Sequence, residues 1–308
     1  MKKDERPAVS VVGLGDMGGA LATALCERGC RVTVWNRDAR KSRPLVEKAA
    51  SLAARVAEAV TASPSTIVCV SDYAATMDIL STSDATAALA GRTLLQFSTT
   101  TSAESIALSE WSERAGATYL CGQILAYPDD IRKARANIVV SGSKDVFERH
   151  AELLRTMAGI VNYVGDHAGA APAFARAHDS FVVGSYLAFL QGAALCARSG
   201  IDLRRWCDFN LSQRVSSAVT SQLSILAGQV CGRTYEEGLG ATTAVWRGTI
   251  EKIIEECDAL GAGKGHLEPL ARLVAAATEG GLGSKELGIL FEGMRNGPPL
   301  VNGDRRTS

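Results

Sequence analysis

The residues whose spacing carries the clearest chemistry are Gly13, Gly15 and Gly18, set between an apolar run at 9–12 and an Ala/Leu-rich stretch at 19–28. Strand, glycine turn and helix in that order form a seat for the pyrophosphate of a dinucleotide. Gly13 permits the tight turn, Gly15 lets the backbone approach the phosphates, and Gly18 lets the helix pack closely on the strand. Leu14, Asp16 and Met17 complete the loop, whose unpaired N–H groups and positive helix end face the phosphates. The second strand, 31–35, ends in Asn36-Arg37-Asp38-Ala39-Arg40-Lys41. An acid at this tip usually binds a ribose 2′-hydroxyl, whereas an arginine accommodates a 2′-phosphate. Here Asn36 takes the acidic place, and Arg37 by its flat fork and Lys41 as a point charge make a pocket for a phosphate dianion. Asp38 weakens that field, and a solvated basic helix start is the alternative reading. The cofactor expected is NADPH.

These residues need a scaffold, and the sequence describes one. Short apolar strands alternate with helices through the first half of the chain: strands at 65–71, 93–97, 117–120, 137–141 and 160–164, helices at 104–115 and 144–157. The alternation predicts an α/β fold with a doubly wound Rossmann sheet, whose ligands lie at the carboxyl ends of the strands. Besides the glycine loop, those ends carry Ser71-Asp72-Tyr73 and Ser98-Thr99-Thr100-Thr101. Ser71, Asp72, Ser98, Thr99 and Thr100 are therefore added to the cofactor contacts, although a Ser/Thr turn capping the next helix explains the hydroxyl cluster nearly as well.

With 308 residues, 46% of them hydrophobic, and a formal net charge of zero, the chain fills one large core or two smaller ones. Zero net charge argues against nucleic acid and anionic membranes as partners, since both select a basic surplus. No uninterrupted apolar run of about eighteen residues suggests a membrane span. The charged N-terminus leads straight to the first strand, so a cytoplasmic location is expected. The eight cysteines, Cys26, Cys30, Cys69, Cys121, Cys196, Cys207, Cys231 and Cys257, lack metal or redox spacing, and four scattered histidines form no pair. Reduced thiols and no metal are expected.

After Gly165-Asp166-His167-Ala168-Gly169 the strands stop. Residues 171–199 read as one long helix, apolar except for Arg176, His178, Asp179 and Arg198. A helix apolar over most of its circumference needs partners on several faces. Further helices are expected at 203–228, 242–260, 268–279 and 284–295. The divisions drawn are a Rossmann domain at 1–168, an inter-domain helix at 169–200, a C-terminal all-α bundle at 201–296 and a disordered tail at 297–308.

The order Gly-Leu-Gly-x-Met-Gly, Val34-Trp35-Asn36-Arg37, Val70-Ser71-Asp72-Tyr73 and Gly122-Gln123-Ile124-Leu125-Ala126-Tyr127-Pro128 resembles NADPH-dependent imine reductases and reductive aminases, within the β-hydroxyacid dehydrogenase superfamily. The likeness runs through the long helix to Glu286-Leu287-Gly288-Ile289-Leu290-Phe291. It implies a homodimer swapped through the helical domain. The substrate, an imine or iminium, then lies between one Rossmann domain and the other chain's bundle.

The same resemblance separates activities. Similar hydroxyacid dehydrogenases place a lysine four residues beyond the glycine that opens the long helix, and here that position is Ala173. Imine reductases place an Asp, or sometimes a Tyr, six residues beyond it, which falls on Ala175. Asp179, one turn on and preceded by His178, is the nearest acid and is taken as the proton donor or anchor, with His178 beside it; a hydrogen-bonded pair without chemistry is the alternative. Tyr127, Tyr186 and Trp246 are assigned to the substrate pocket, Trp246 because similar enzymes line the cavity there. Core packing explains Tyr186 and Trp246 as well. The expected activity is delivery of hydride to the carbon of a cyclic imine or iminium. The alternatives are a β-hydroxyacid-type NADP dehydrogenase and a protein that senses NADPH without turnover.

Overall fold

Alternating side chains of one strand bury into two different cores, and this is what fixes the N-terminal architecture. Val9 and Val11 pack on one face of the sheet with Leu21, Leu25 and Leu154, while Val12 packs on the other with Val60, Leu80 and Leu108. The same split divides Ile138 and Val140 from Val139. A sheet covered on both faces demands such strands.

The computed structural model describes residues 6–236 and 241–295, and the tail expected at 297–308 lies outside them. The chain divides into two units, Met1–Ser180 and Phe181–Ser308. The first begins with β1 (Ala8–Val12), α1 (Asp16–Glu27), β2 (Arg31–Trp35), α2 (Arg43–Val46), β3 (Ser51–Leu52) and α3 (Val56–Ala62). It continues with β4 (Ser65–Val68), α4 (Tyr73–Leu80), α5 (Ser83–Ala88), β5 (Thr93–Gln96) and α6 (Ser102–Arg114). Then come β6 (Thr118–Ile124), β7 (Asn137–Gly142), α7 (Lys144–Arg155) and β8 (Ile160–Tyr163). The sheet order is β3-β2-β1-β4-β5-β6-β7-β8. Its first six strands are parallel, in the order of a doubly wound dinucleotide-binding sheet.

β7 departs from that pattern by pairing antiparallel to β6. Only a loop with a short 3₁₀ turn at Pro128–Asp130 joins the two, and without a crossover helix the chain has to return in the opposite direction. β8 then pairs parallel to β7 across α7.

α8 (Ala170–Arg198) starts against the sheet, held by hydroxyls. Ser105 and Ser141 donate to the Ala168 carbonyl at 2.8 and 3.0 Å, and Ser102 donates to that of Gly169 at 3.0 Å. Ser141 in turn accepts the Ala171 N–H at 3.0 Å. This clamp buries Ala171, Pro172 and Ala175, so the start of the long helix belongs with the first unit.

Beyond the clamp, little of α8 is covered. Its most apolar eighteen-residue window has a mean hydropathy of 1.5 and is 0% buried, so by length and hydropathy it meets the description of a membrane span although no uninterrupted run does. Phe181, Val183, Tyr186 and Leu190 are each more than half exposed.

The second unit continues with α9 (Leu203–Asn210), α10 (Gln213–Gly232), α11 (Thr243–Leu260), α12 (Leu267–Ala277) and α13 (Leu290–Arg295). The single helix expected at 203–228 is broken at Leu211 and Ser212, and its second half runs on to Gly232. The break has a local cause: the Asn210 amide donates to the Trp206 carbonyl and the Ser212 hydroxyl to that of Phe209, so polar side chains compete with the helix ladder. The helix expected at 284–295 is a 3₁₀ turn, Leu287–Ile289, followed by α13. Ile250, Val274, Ala277 and Leu290 form a small core between α11, α12 and α13.

Candidate functional site

The turn after β1 is built so that only glycine fits its critical places. Gly13 has φ +94°, and a Cβ there would stand 2.3 Å from the Cys69 carbonyl oxygen. At Gly18 a Cβ would stand 2.1 Å from the Gly13 oxygen, so the first turn of α1 lies directly on the loop. Gly15 is different, since nothing approaches its Cβ position within 4 Å. The backbone is thus bare where a ligand would come closest. No side chain caps α1, which leaves its first amides to whatever anion lies in front of them.

Leu14 has another task. Its side chain is buried, and its N–H donates to Asn36 Oδ1 at 2.8 Å. Asn36 Nδ2 donates to the Asp38 carbonyl at 3.0 Å. Asn36 therefore ties the glycine loop to the loop after β2, a role that an acid could perform only in part because it lacks the amide donor.

Gly13, Gly15, Asp16, Met17, Gly18, Asn36, Arg37, Lys41 and Ser71 all line one cleft of about 540 Å³, joined by the apolar Trp35, Val70 and Ile79. Arg37 and Lys41 are exposed, and neither forms an ion pair among the described residues. Asp38, which threatened their field, is bound by Arg40 through Nε and Nη2, both at 2.9 Å. The Arg40 side chain holds the Asp38 carboxyl below its ordinary range. The cleft thus brings together the uncapped amides of α1 and two cations, which fits a dinucleotide carrying an extra phosphate.

A direct expectation follows for Arg37→Ala. A charge-assisted phosphate contact is worth about 1.5 to 3 kcal/mol, so NADPH affinity should fall roughly tenfold to a hundredfold while NADH affinity holds. Fluorescence titration of both cofactors measures this; equal losses would remove Arg37 from the phosphate.

The other strand-end residues are used mostly inside the protein. Ser98 is buried and its hydroxyl accepts the Val70 N–H at 2.9 Å, filling the place of a ladder partner where β4 has ended. Thr100 is buried too, while Thr99 is exposed. Thr101 caps α6 in reciprocal bonds with Glu104. Asp72 caps α4, accepting the Ala75 N–H at 2.8 Å, and that bond leads in holding its carboxyl below the usual range. Of this set Ser71 lines the cleft.

On α8, Ala175 is completely buried, so the position six residues beyond Gly169 presents neither an acid nor an open face. Ala173 is exposed and carries no ionisable group. His178 is exposed, and Asp179 is half exposed and paired with Arg176 at 2.8 Å. Sequence reasoning passed over Arg176, although its spacing of three from Asp179 places both on one helix surface. Tyr127 is largely exposed in the loop after β6. In the second unit, Tyr186 is exposed on α8. Trp246 lines a cleft of about 470 Å³ with Val219, Leu223, Leu226 and Leu287. Among the described residues no three His, Cys, Asp or Glu side chains are disposed to hold a metal. His150 is spent in the core, 2.8 Å from Ser65 Oγ and 2.7 Å from the Val146 carbonyl.

Residues 8–165 match the NAD binding domain of 6-phosphogluconate dehydrogenase. Over 94% of its length the chain is 30% identical to an NADPH-dependent reductive aminase of Aspergillus oryzae, covering 97% of that protein. Among solved structures it is similar to an imine reductase from Myxococcus stipitatus in complex with NADP+, with a TM-score of 0.86 and 27% identity over 93% of this chain and 99% of that one. A reductive aminase from Aspergillus terreus, in complex with NADPH and ethyl-5-oxohexanoate, gives a TM-score of 0.83 and 30% identity over 94% and 100% of the two chains.

Proposed function

The chain belongs to the family of NADPH-dependent imine reductases and reductive aminases, and from that premise we propose that it reduces a cyclic imine or iminium as a homodimer swapped through α8, with Asp179 serving the substrate nitrogen. It is an oxidoreductase, and its cofactor is NADPH. The observation that carries the reading is the single cleft in which bare backbone, uncapped amides and two cations, Arg37 and Lys41, without ion-pair partners among the described residues, converge.

Bound NADPH supplies a hydride to the carbon of a C=N bond. The protein's own share is to bind, orient and dry the site. The amides that open α1 take the pyrophosphate, Arg37 and Lys41 take the 2′-phosphate, and Ser71 stands at the cleft wall. A C=N bond asks for little more than a proton at nitrogen, because a protonated iminium is already electrophilic. Ala173 offers no base for an alcohol oxygen. Asp179 can give that proton or, ionised, anchor the iminium; Arg176, its partner at 2.8 Å, is the cation with which a charged substrate exchanges. His178 stands beside it as a second candidate for the proton path.

The exposed apolar side chains of α8 support the swapped dimer, in which each long helix carries its helical unit onto the partner and gains the cover it lacks alone. All eight cysteines are free thiols, in keeping with a reducing, cytoplasmic setting. The assay that tests the reading is NADPH consumption with 2-methylpyrroline, set against NADP+ reduction by small hydroxy acids. Turnover of the imine alone is expected; turnover of hydroxy acids alone, or cofactor binding with neither reaction, would overturn it.

A further inference from the structure

The loop that receives the 2′-phosphate in this reading carries an acid of its own. Asp38 follows Arg37 directly, and a carboxylate there opposes a phosphate dianion by simple Coulomb repulsion. Yet the cleft is lined by Arg37 and Lys41 on either side of Asp38 in sequence, and Asp38 is not part of that lining. The structure shows what holds it elsewhere. Arg40 Nε donates to Oδ1 and Nη2 to Oδ2, both at 2.9 Å, and the Arg40 backbone N–H adds a third bond to Oδ1 at 3.1 Å. Two parallel bonds from a planar fork fix direction as well as distance, which a point charge could not do. After the Arg40 bonds, the Lys41 charge is among the influences that hold the Asp38 carboxyl low.

We infer that Arg40 is a positioning residue for cofactor selection: it holds the Asp38 carboxylate outside the cleft and cancels its charge, so that Arg37 and Lys41 present their full field to the 2′-phosphate. The inference deepens the NADPH reading and rests on it. Without the Arg40 side chain, Asp38 is free to turn onto Lys41 or Arg37 and to compete with the phosphate for them. NADH has no 2′-phosphate and is indifferent to that competition.

The test is fluorescence titration of NADPH and NADH on the full-length protein and three variants, at low and at high salt. Arg40→Ala should weaken NADPH about threefold to tenfold and leave NADH unchanged, with the difference shrinking in high salt. Asp38→Asn with Arg40→Ala should return NADPH affinity to within about twofold of the parent, because the charge that needed restraint is gone. Asp38→Asn keeps the acceptor for the Arg40 N–H, so the turn survives in the double variant. Arg37→Ala is the reference. If it discriminates between the cofactors and Arg40→Ala does not, or if the double variant fails to recover, the role of Arg40 is refuted while the phosphate seat stands. If Arg37→Ala weakens both cofactors alike, the seat itself is misplaced and the inference falls with it.

Discussion

Asp179→Asn is expected to slow reduction of a neutral cyclic imine by about 10²-fold to 10⁴-fold, the usual cost of a lost general acid, and to spare an N-alkylated iminium. The asymmetry follows from the proton. A neutral imine has to acquire one at nitrogen before or during hydride transfer, whereas a permanently charged iminium does not. The substitution should leave the fold alone, since an exposed pair of the Arg176–Asp179 kind contributes at most about 1 kcal/mol. Arg176→Ala separates the two members of the pair, because it leaves the acid in place and should cost the neutral imine far less. Steady-state rates on 2-methylpyrroline and its N-methyl iminium measure the difference. Wild-type rates for both substrates in the folded Asp179→Asn variant would make the residue structural.

The second large effect lies on the exposed half of α8. Phe181 and Leu190 are more than half exposed on a helix whose most apolar window is 0% buried among the described residues. A swapped homodimer burying more than about 2,000 Å² would cover them. Replacing both by Asp puts two carboxylates where the partner should sit, at a cost of several kcal/mol for each unpaired buried charge. Sedimentation should then find a dimer for the parent and a monomer for the double variant at micromolar concentration. Imine reduction should be lost, while NADPH still binds the cleft of the first unit. An active monomeric parent would defeat the swap. Partitioning of the parent onto lipid vesicles would assign α8 to a membrane instead.

Much of this arrangement was legible in the sequence because backbone sterics leave few choices. Gly13 and Gly18 are dictated by close approaches, and their spacing announces turn, strand and helix together. β4 and β5 were readable because every residue of each is buried, which leaves short runs centred on Ile67-Val68 and Leu94-Leu95. β3 was missed because two exposed residues at a sheet edge carry no pattern. The antiparallel entry of β7 depends on a missing crossover helix, which apolar periodicity does not report. Charged partners were the least legible part of the site. The sequence places Asp38 beside Arg37, but only geometry shows that Arg40 holds it. Asp179 stood out as an acid on an apolar helix, whereas its tie to Arg176 depends on rotamers. Ser98 looked like a ligand contact because hydroxyls at strand ends serve ligands and strand termini equally well, and here the Val70 N–H takes it.

The central claim is that the glycine cleft and its cations serve reduction of a C=N bond, and transfer of an isotope tests it most directly. With 2-methylpyrroline and NADPH deuterated at the transferable position of C4, the amine product should carry one deuterium at the former imine carbon, with stoichiometric loss of cofactor. NADH in its place should react far more slowly. Product amine without deuterium, or bound cofactor that is never consumed, would contradict the account.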